Sequence, residues 1–284
     1  MAVDIGKLKK FVELALEEDV REGDHTSLST IDAEAEGEAQ LLVKEDGVLA
    51  GVAVGVDIMH IIDPRLVVQT VLKDGDTVKV GAIALYVKGS IHSILKAERL
   101  VLNVMQRMSG IATRTATYAA LLAGSKTKVL DTRKTTPLLR FLEKEAVRIG
   151  GGENHRFGLY DMILIKDNHV DYAGGIEAAL TKAQAYRQQH NLAIPIEIEV
   201  RNLAELQEVL AQEKVDRVML DNFTPAQVAE AVALIDGRLV TEASGGITLE
   251  TIAAYAQTGV DFVSVGALTH SVKSLDLSLK AKII

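Results

Sequence analysis

IEIEVRNLAELQEVLAQEKVDRVMLDNFTPAQVAEAVALIDGRLVTEASGGITLETIAAYAQTGVDFVSVG, residues 196–266, is the stretch whose reading decides the fold. Apolar runs begin near Ile196, Arg217, Leu239 and Phe262, about 22 residues apart, with the helical patterns LAELQEVLAQ, TPAQVAEAVALI and TLETIAAYAQTG between them. Intervals that short admit only compact units, so the alternation implies parallel β-α units with right-handed crossovers. Upstream, runs near Val129 and Met162 extend the series to six, with GIEAALTKAQAYRQQ as a further helix. Six or so units favour a small closed barrel over the usual eight-stranded one, and a doubly wound sheet is the alternative.

Both parallel architectures place ligands at the carboxyl ends of the strands. Polar groups gather there: Asp131 to Lys134, Lys166 to His169, Glu199, Asp221 to Asn222, Glu242 to Gly246, and Ser264 to Gly266. In IEIEV the period of two sets Ile196, Ile198 and Val200 on one face and Glu197 and Glu199 on the other. With the apolar face against helices, both carboxylates point into the barrel and need cations, a metal or a shifted pKa. Lys134 and Lys166 are candidate partners, and a structural ion-pair network is the other reading. Asp221 extends the set to one that suits Mg²⁺ held through phosphates and water. Zinc is disfavoured, because the chain has no cysteine and its seven histidines form no familiar ligand pair. EASGGI and SVGAL put small residues where backbone N–H groups can face a phosphate, with a helix following at TLETIAAYA.

The segment DTRKTTPLLRFLEKEAVRIGGGENHRFGLYDMILIKDNH, residues 131–169, concentrates cations around Gly150 to Gly152. It reads as a strand end, a helix with Leu138, Leu142, Ala146 and Ile149 on one face, a glycine loop, and a strand MILI ending in KDNH. Arg133, Lys134 and Lys166 then sit just past strand ends, and His155 and Arg156 follow a loop whose backbone can approach a ligand. A site for an anionic small molecule is expected. Arg140, Lys144 and Arg148 read as helix-surface or interface charges.

The N-terminal third differs. Ile5, Leu8, Phe11, Val12, Ala15 and Leu16 form one face of a helix, and REGDHTSLST is a polar loop in which Asp24 and His25 read as a capped turn. EAQLLVKE alternates as a half-buried strand. GVLAGVAVGVDIMHII reads as an apolar helix whose glycines permit close packing, since neither GxxxxGK nor GxGxxG occurs. LVVQTVL and TVKVGAIALYV read as strands flanking a turn at Lys73 to Asp76, which makes an α+β domain. A helical pattern from His92 to Ala123 follows, interrupted at Ser109 and Gly110, with Arg107 beside the break. The net charge of -8 argues against general nucleic-acid binding, while a local cation cluster can still dominate within the screening length of about 8 Å. No apolar run approaches the ~18 residues of a membrane span, no signal peptide is apparent, and a cytoplasmic protein is expected.

DTRKTTP, GGGENHRFGLYDMILIKDNH, AERLVLNVMQRMSGIAT, EIEV, MLDNF, EASGGI and the GDHTS loop together resemble the quinolinate phosphoribosyltransferases, also called nicotinate-nucleotide pyrophosphorylases (carboxylating). The resemblance runs from Gly23 almost to the C-terminus. It implies a pentosyltransferase that converts quinolinate and phosphoribosyl pyrophosphate (PRPP) with Mg²⁺ to nicotinate mononucleotide, pyrophosphate and CO₂ in de novo NAD synthesis. It implies an N-terminal α/β sandwich, taken as residues 1–115, and an incomplete six- to seven-stranded parallel α/β barrel, taken as 116–270. Residues 271–284 are expected to return to the N-terminal domain. A homodimer with shared active sites is implied, and assembly beyond the dimer stays open. By position, Arg107 comes from the neighbour, while Thr132, Arg133, His155, Arg156 and Lys166 hold the quinolinate carboxylates. The resemblance further implies that Lys134, Glu199 and Asp221 would handle pyrophosphate and Mg²⁺, with Lys166 also near PRPP. Ser244, Gly245, Gly246 and Gly266 hold the 5′-phosphate end. His92 stands where the family usually has arginine, Leu138 replaces a glycine, and Phe141 and Glu145 are unusual in their helix.

Overall fold

A computed structural model describes residues 3–212 and 214–282 of the chain. The elements in order are α1 (Ile5–Asp19), α2 (His25–Thr30), β1 (Glu36–Val43), β2 (Gly47–Val48), α3 (Val52–Ile62), β3 (Val67–Thr70), β4 (Thr77–Val78), β5 (Ile83–Ser90), α4 (Ile91–Leu121), β6 (Lys128–Leu130) and α5 (Arg140–Ile149). They continue with β7 (Ile163–Ile165), α6 (Asp167–Ala173), α7 (Ile176–Gln189), β8 (Ile196–Val200), α8 (Leu203–Gln212), β9 (Arg217–Asp221), α9 (Pro225–Ile235), β10 (Val240–Ser244), α10 (Ile252–Ala256), β11 (Phe262–Ser264), α11 (Ala267–His270) and β12 (Leu277–Ala281). The chain divides into two compact units, the first made of residues up to Ala116, Thr135–Gly151 and the chain from Leu268 onward, the second of Thr117–Lys134 and Gly152–Ala267. No helix among the described residues is long and apolar enough to cross a membrane.

The first unit is built on an antiparallel sheet of order β12-β1-β5-β3. Alternation in β1 buries Ala39, Leu41 and Val43, beside Leu85 and Val87 of β5, and α1 and α3 bury Leu8, Val12, Ile58 and Met59. Gly55 sets how closely α3 approaches α4: a Cβ there would lie 2.9 Å from Met105 Sδ. The C-terminal strand β12 pairs with β1, Leu279 opposite Leu41.

Several local expectations change. TVKVGAIALYV is two strands, β4 and β5, because the chain turns at Gly81, whose φ of 90° needs glycine. The apolar helix begins only at Val52, after Gly51 at φ 87°. Ser109 and Gly110 do not interrupt α4, which is continuous for 31 residues. Ser109 Oγ instead accepts the Ala50 N–H at 2.9 Å, and a Cβ on Gly110 would run into the Lys273 carbonyl, so both residues serve packing inside a helix. Leu138 lies outside α5, 80% exposed and at φ 66°, so the apolar face of α5 is carried by Leu142 and Ala146. Lys144, read as a surface charge, is 2% exposed. Thr135–Gly151, placed with the barrel from its pattern, groups with the first unit, where Phe141 packs edge-on against Phe11 with centroids 6.3 Å apart.

The second unit is a six-stranded parallel sheet of order β6-β11-β10-β9-β8-β7. Its end strands β6 and β7 are consecutive in sequence and unpaired with each other, so the barrel is incomplete. On the free edge of β6 a single parallel bridge joins Leu130 to Glu153, which ties the loop carrying His155 and Arg156 to the sheet. Ile196, Ile198 and Val200 of β8 are fully buried, each contributing about 1.5–3 kcal/mol of hydrophobic stabilisation. That burial locks the register and turns Glu197 and Glu199 to the opposite face.

Candidate active site

The inner face of the second unit carries a buried layer of charge below an open rim. Glu197 and Glu242 are both 0% exposed, on β8 and β10, with Arg217 of β9 between them. Arg217 Nε lies 2.9 Å from Glu197, its Nη2 pairs with Glu242 Oε2, and its guanidinium stands 4.5 Å over the Phe262 ring. His155, 6% exposed, approaches the same carboxylates, with Nε2 2.9 Å from Glu197 Oε2 and 3.4 Å from Glu242 Oε2. Its Nδ1 accepts the Arg156 backbone N–H at 2.7 Å, which assigns the ring proton to Nε2. The His155 backbone N–H donates to the buried Asp131 at 2.9 Å. Burial, reinforced by the Glu197 charge, pushes Glu242 up to about 7, and burial raises Glu197 as well. The oxygens and nitrogen of His155, Glu197 and Glu242 lie within 4.8 Å of one another, a spacing that also suits a metal. Arg217 already places a cation between the carboxylates, so the layer reads as an ion-pair network.

Above that layer the strand ends present a different set. Lys166, just past β7, places Nζ 3.1 Å from Glu199 Oε2 while keeping its side chain 47% exposed. Asp221 ends β9, and its carboxyl is raised by burial against the downward pull of Lys166 and Lys134. Asn222, at φ 57°, donates from Nδ2 to Asp221 Oδ2 at 2.6 Å and from its backbone N–H to the Ser244 carbonyl at 2.8 Å. A Cβ on Gly245 would overlap the Asn222 side chain, and both Gly245 and Gly246 have left-handed φ values of 95° and 61°. Gly266, half-buried, follows β11. The helix expected directly after EASGGI starts only at Ile252, so Ser244, Gly245 and Gly246 offer backbone without a helix N-terminus behind it. Thr132 Oγ1 accepts the Lys134 N–H at 3.1 Å, and Arg133 and Lys134 are exposed. Arg156 Nη1 donates to the Met162 carbonyl at 3.2 Å, and burial and the neighbouring Arg133 charge both lower its pKa. Two guanidiniums held close enough to repel each other are relieved by an anion.

The quinolinate phosphoribosyl transferase N-terminal domain matches residues 24–109 and the corresponding C-terminal domain matches residues 111–280. The chain belongs to the quinolinate phosphoribosyltransferase family. Among relatives, quinolinate phosphoribosyltransferase [decarboxylating] 1b of Nicotiana tabacum is 48% identical, over 96% of this chain and 82% of its own. The probable nicotinate-nucleotide pyrophosphorylase [carboxylating] of Bacillus subtilis is 45% identical, over 96% and 93%. The crystal structure of NadC from Streptococcus pyogenes superposes with a TM-score of 0.93 at 40% identity, each chain fully covered.

Within the second unit, Thr132, Arg133, Lys134, Lys166, Glu199, Asp221, Ser244, Gly245, Gly246 and Gly266 lie at or just past strand ends, and Arg156 lies in the loop before β7 with the Arg133 charge near it. His155 departs from its expected place. Its imidazole is turned into the buried layer with both nitrogens engaged, so no ring nitrogen is offered to a ligand carboxylate. Arg107 belongs to the first unit, where Nε donates to Glu143 at 3.0 Å and Nη2 to the Thr269 carbonyl. There it lines a cavity of about 350 Å³ with Leu138 and Phe11. His92, in the place of the usual arginine, donates from Nε2 to the Ile31 carbonyl at 3.1 Å and so secures the end of α2. Arg217 and Asn222 were given no role from the sequence. The period of two that sets Arg217, Met219 and Asp221 on one face is the signal that finds the arginine.

Proposed function

We propose that the protein transfers the phosphoribosyl group of PRPP to quinolinate with decarboxylation, giving nicotinate mononucleotide, pyrophosphate and CO₂, the reaction of a carboxylating nicotinate-nucleotide pyrophosphorylase. Family membership along almost the whole chain carries the reading, and the neighbouring Arg133 and Arg156 charges together with the Lys166–Glu199 pair at the strand ends support it. Arg133 and Arg156, with Thr132 and Lys166, hold the dicarboxylate, since the guanidinium fork supplies direction as well as charge. His155 acts from below by fixing the Arg156 backbone. Lys134 and Lys166 neutralise the departing pyrophosphate, and Ser244, Gly245, Gly246 and Gly266 seat the 5′-phosphate on backbone N–H groups.

Glu199 and Asp221 fit Mg²⁺: they are hard oxygen donors at the ends of neighbouring strands, and burial leaves Asp221 short of positive charge. Bound there with PRPP, the ion would supply charge neutralisation for the leaving group. The pyridine nitrogen forms the new bond to ribose C1 as the bond to pyrophosphate oxygen breaks. The carboxylate beside that nitrogen then leaves as CO₂, its electron pair held on ring carbon by the adjacent cationic nitrogen until a solvent proton takes its place. No side chain is required as general base.

Purified protein given quinolinate, PRPP and Mg²⁺ should release CO₂, pyrophosphate and nicotinate mononucleotide in equal amounts. Turnover of nicotinate with no CO₂ from quinolinate would overturn the reading. A homodimer in which Arg107 of the partner subunit completes each rim is part of the proposal. Mixing inactive Arg107→Ala chains with inactive Lys166→Ala chains should restore activity, and no recovery after verified subunit exchange would contradict the sharing.

A further inference from the structure

We infer that Arg217 is a positioning residue for the quinolinate half of the rim, acting through Glu197, His155 and the backbone of Arg156. The inference rests on the function proposed above only for the identity of the ligand. Its geometry is a continuous chain of contacts. The guanidinium is braced on Phe262 at 4.5 Å and spans carboxylates on the strands to either side. Glu197 so held receives the His155 Nε2 proton at 2.9 Å, and His155 Nδ1 receives the Arg156 N–H at 2.7 Å. The loop carrying His155 and Arg156 has only one parallel bridge to β6, Leu130 to Glu153, and the β6 edge there lacks a neighbouring strand. Beside that bridge, the His155 N–H on Asp131 and the Arg156 guanidinium on the Met162 carbonyl, the imidazole is a further tie for that loop, and its direction depends on where Glu197 and Glu242 are held.

Arginine suits this place for reasons lysine does not meet. Two carboxylates at different angles need two prongs, and a flat cation is needed to lie on the Phe262 ring. Without the guanidinium the two buried carboxylates face each other with His155 as their remaining cationic partner in the layer, and the ring is drawn towards a charged form in a new position. Arg156 moves with it. The 5′-phosphate residues Ser244, Gly245, Gly246 and Gly266 follow β10 and β11, outside the run of contacts from Arg217 through Glu197 and His155 to Arg156.

The test measures KM for quinolinate and for PRPP, kcat, and the side-chain ¹⁵N shifts of His155 in the full-length protein and in Arg217→Lys and Arg217→Met. The wild-type shifts should report a neutral ring protonated on Nε2. Arg217→Met should raise the quinolinate KM by about tenfold or more, leave the PRPP KM within about twofold, and move the His155 shifts; Arg217→Lys should recover part of both effects. Equal changes in both KM values, or an unmoved His155 signal, would overturn the inference. If Arg217→Met does not fold, Arg217→Lys gives the same two readouts, with the same outcomes deciding. If wild-type protein neither binds nor uses quinolinate, the proposed function fails, while the His155 shifts still decide the brace.

Discussion

Glu197 and Glu199 stand two residues apart on β8, point to the same side of the sheet and end with opposite fates. Glu197 is sealed in, paired with Arg217 and His155, in a layer whose ion pairs are made within the protein. Glu199 meets Lys166, whose side chain remains 47% exposed, and Asp221 is raised by burial against the pull of Lys166 and Lys134. A step of two residues along a strand is about 6.6 Å. Over that distance the barrel passes from charges sealed among protein groups to charges that reach the open strand ends. On the proposed function, the lower layer is the fixed backing against which the upper cations hold a flat dicarboxylate.

The largest expected effect breaks the upper layer alone. Arg133→Ala should raise the quinolinate KM by about a hundredfold, the loss of a charge-assisted bidentate pair, with the melting temperature nearly unchanged because Arg133 is exposed. Steady-state kinetics with thermal melts would check it, and a large drop in melting temperature would show that the two layers are not separable.

A smaller effect breaks the lower layer. Glu242 has its folded pKa raised from 4.5 to about 7, so its share of stability is fully present below 4.5 and is lost as pH rises through about 7. Glu242→Gln mimics the protonated acid and should escape that loss. Relative to wild type, the variant should gain about 1–3 kcal/mol between pH 5 and pH 8, seen as diverging denaturant midpoints. Parallel curves would mean that Arg217 and His155 compensate both carboxylates at every pH.

The smallest effect is a control outside both layers. Leu138 holds a left-handed backbone at φ 66° with its side chain in solvent, and Leu138→Gly should stabilise the fold by up to about 1 kcal/mol with quinolinate KM unchanged. A loss of stability would show that the leucine side chain contributes through the cavity it lines.

Much of this was legible in the residues. The spacing of runs from Ile196 to Phe262 carries the parallel barrel, because each unit is local and its period survives without tertiary information. Alternation also sent Glu197 and Glu199 inward. Their partners were not legible, since a strand does not say which residue of its neighbour lies opposite: the register Glu197 to Arg217 is tertiary. For the same reason His155 read as a rim cation beside Arg156. Gly110 read as a break because a helix glycine costs stability locally, whereas the reason for it lies at Lys273, far along the chain. Leu138 fell on the helical period of α5 by coincidence, and only the backbone shows that the helix starts after it.

The rim of two arginines implies selectivity for a second carboxylate, and the ratio of kcat/KM for quinolinate over nicotinate, measured with saturating PRPP and Mg²⁺, tests that most directly. The account predicts a ratio of about a thousand or more for the wild type, falling steeply in Arg133→Ala. A ratio near one, or one untouched by Arg133→Ala, would contradict it.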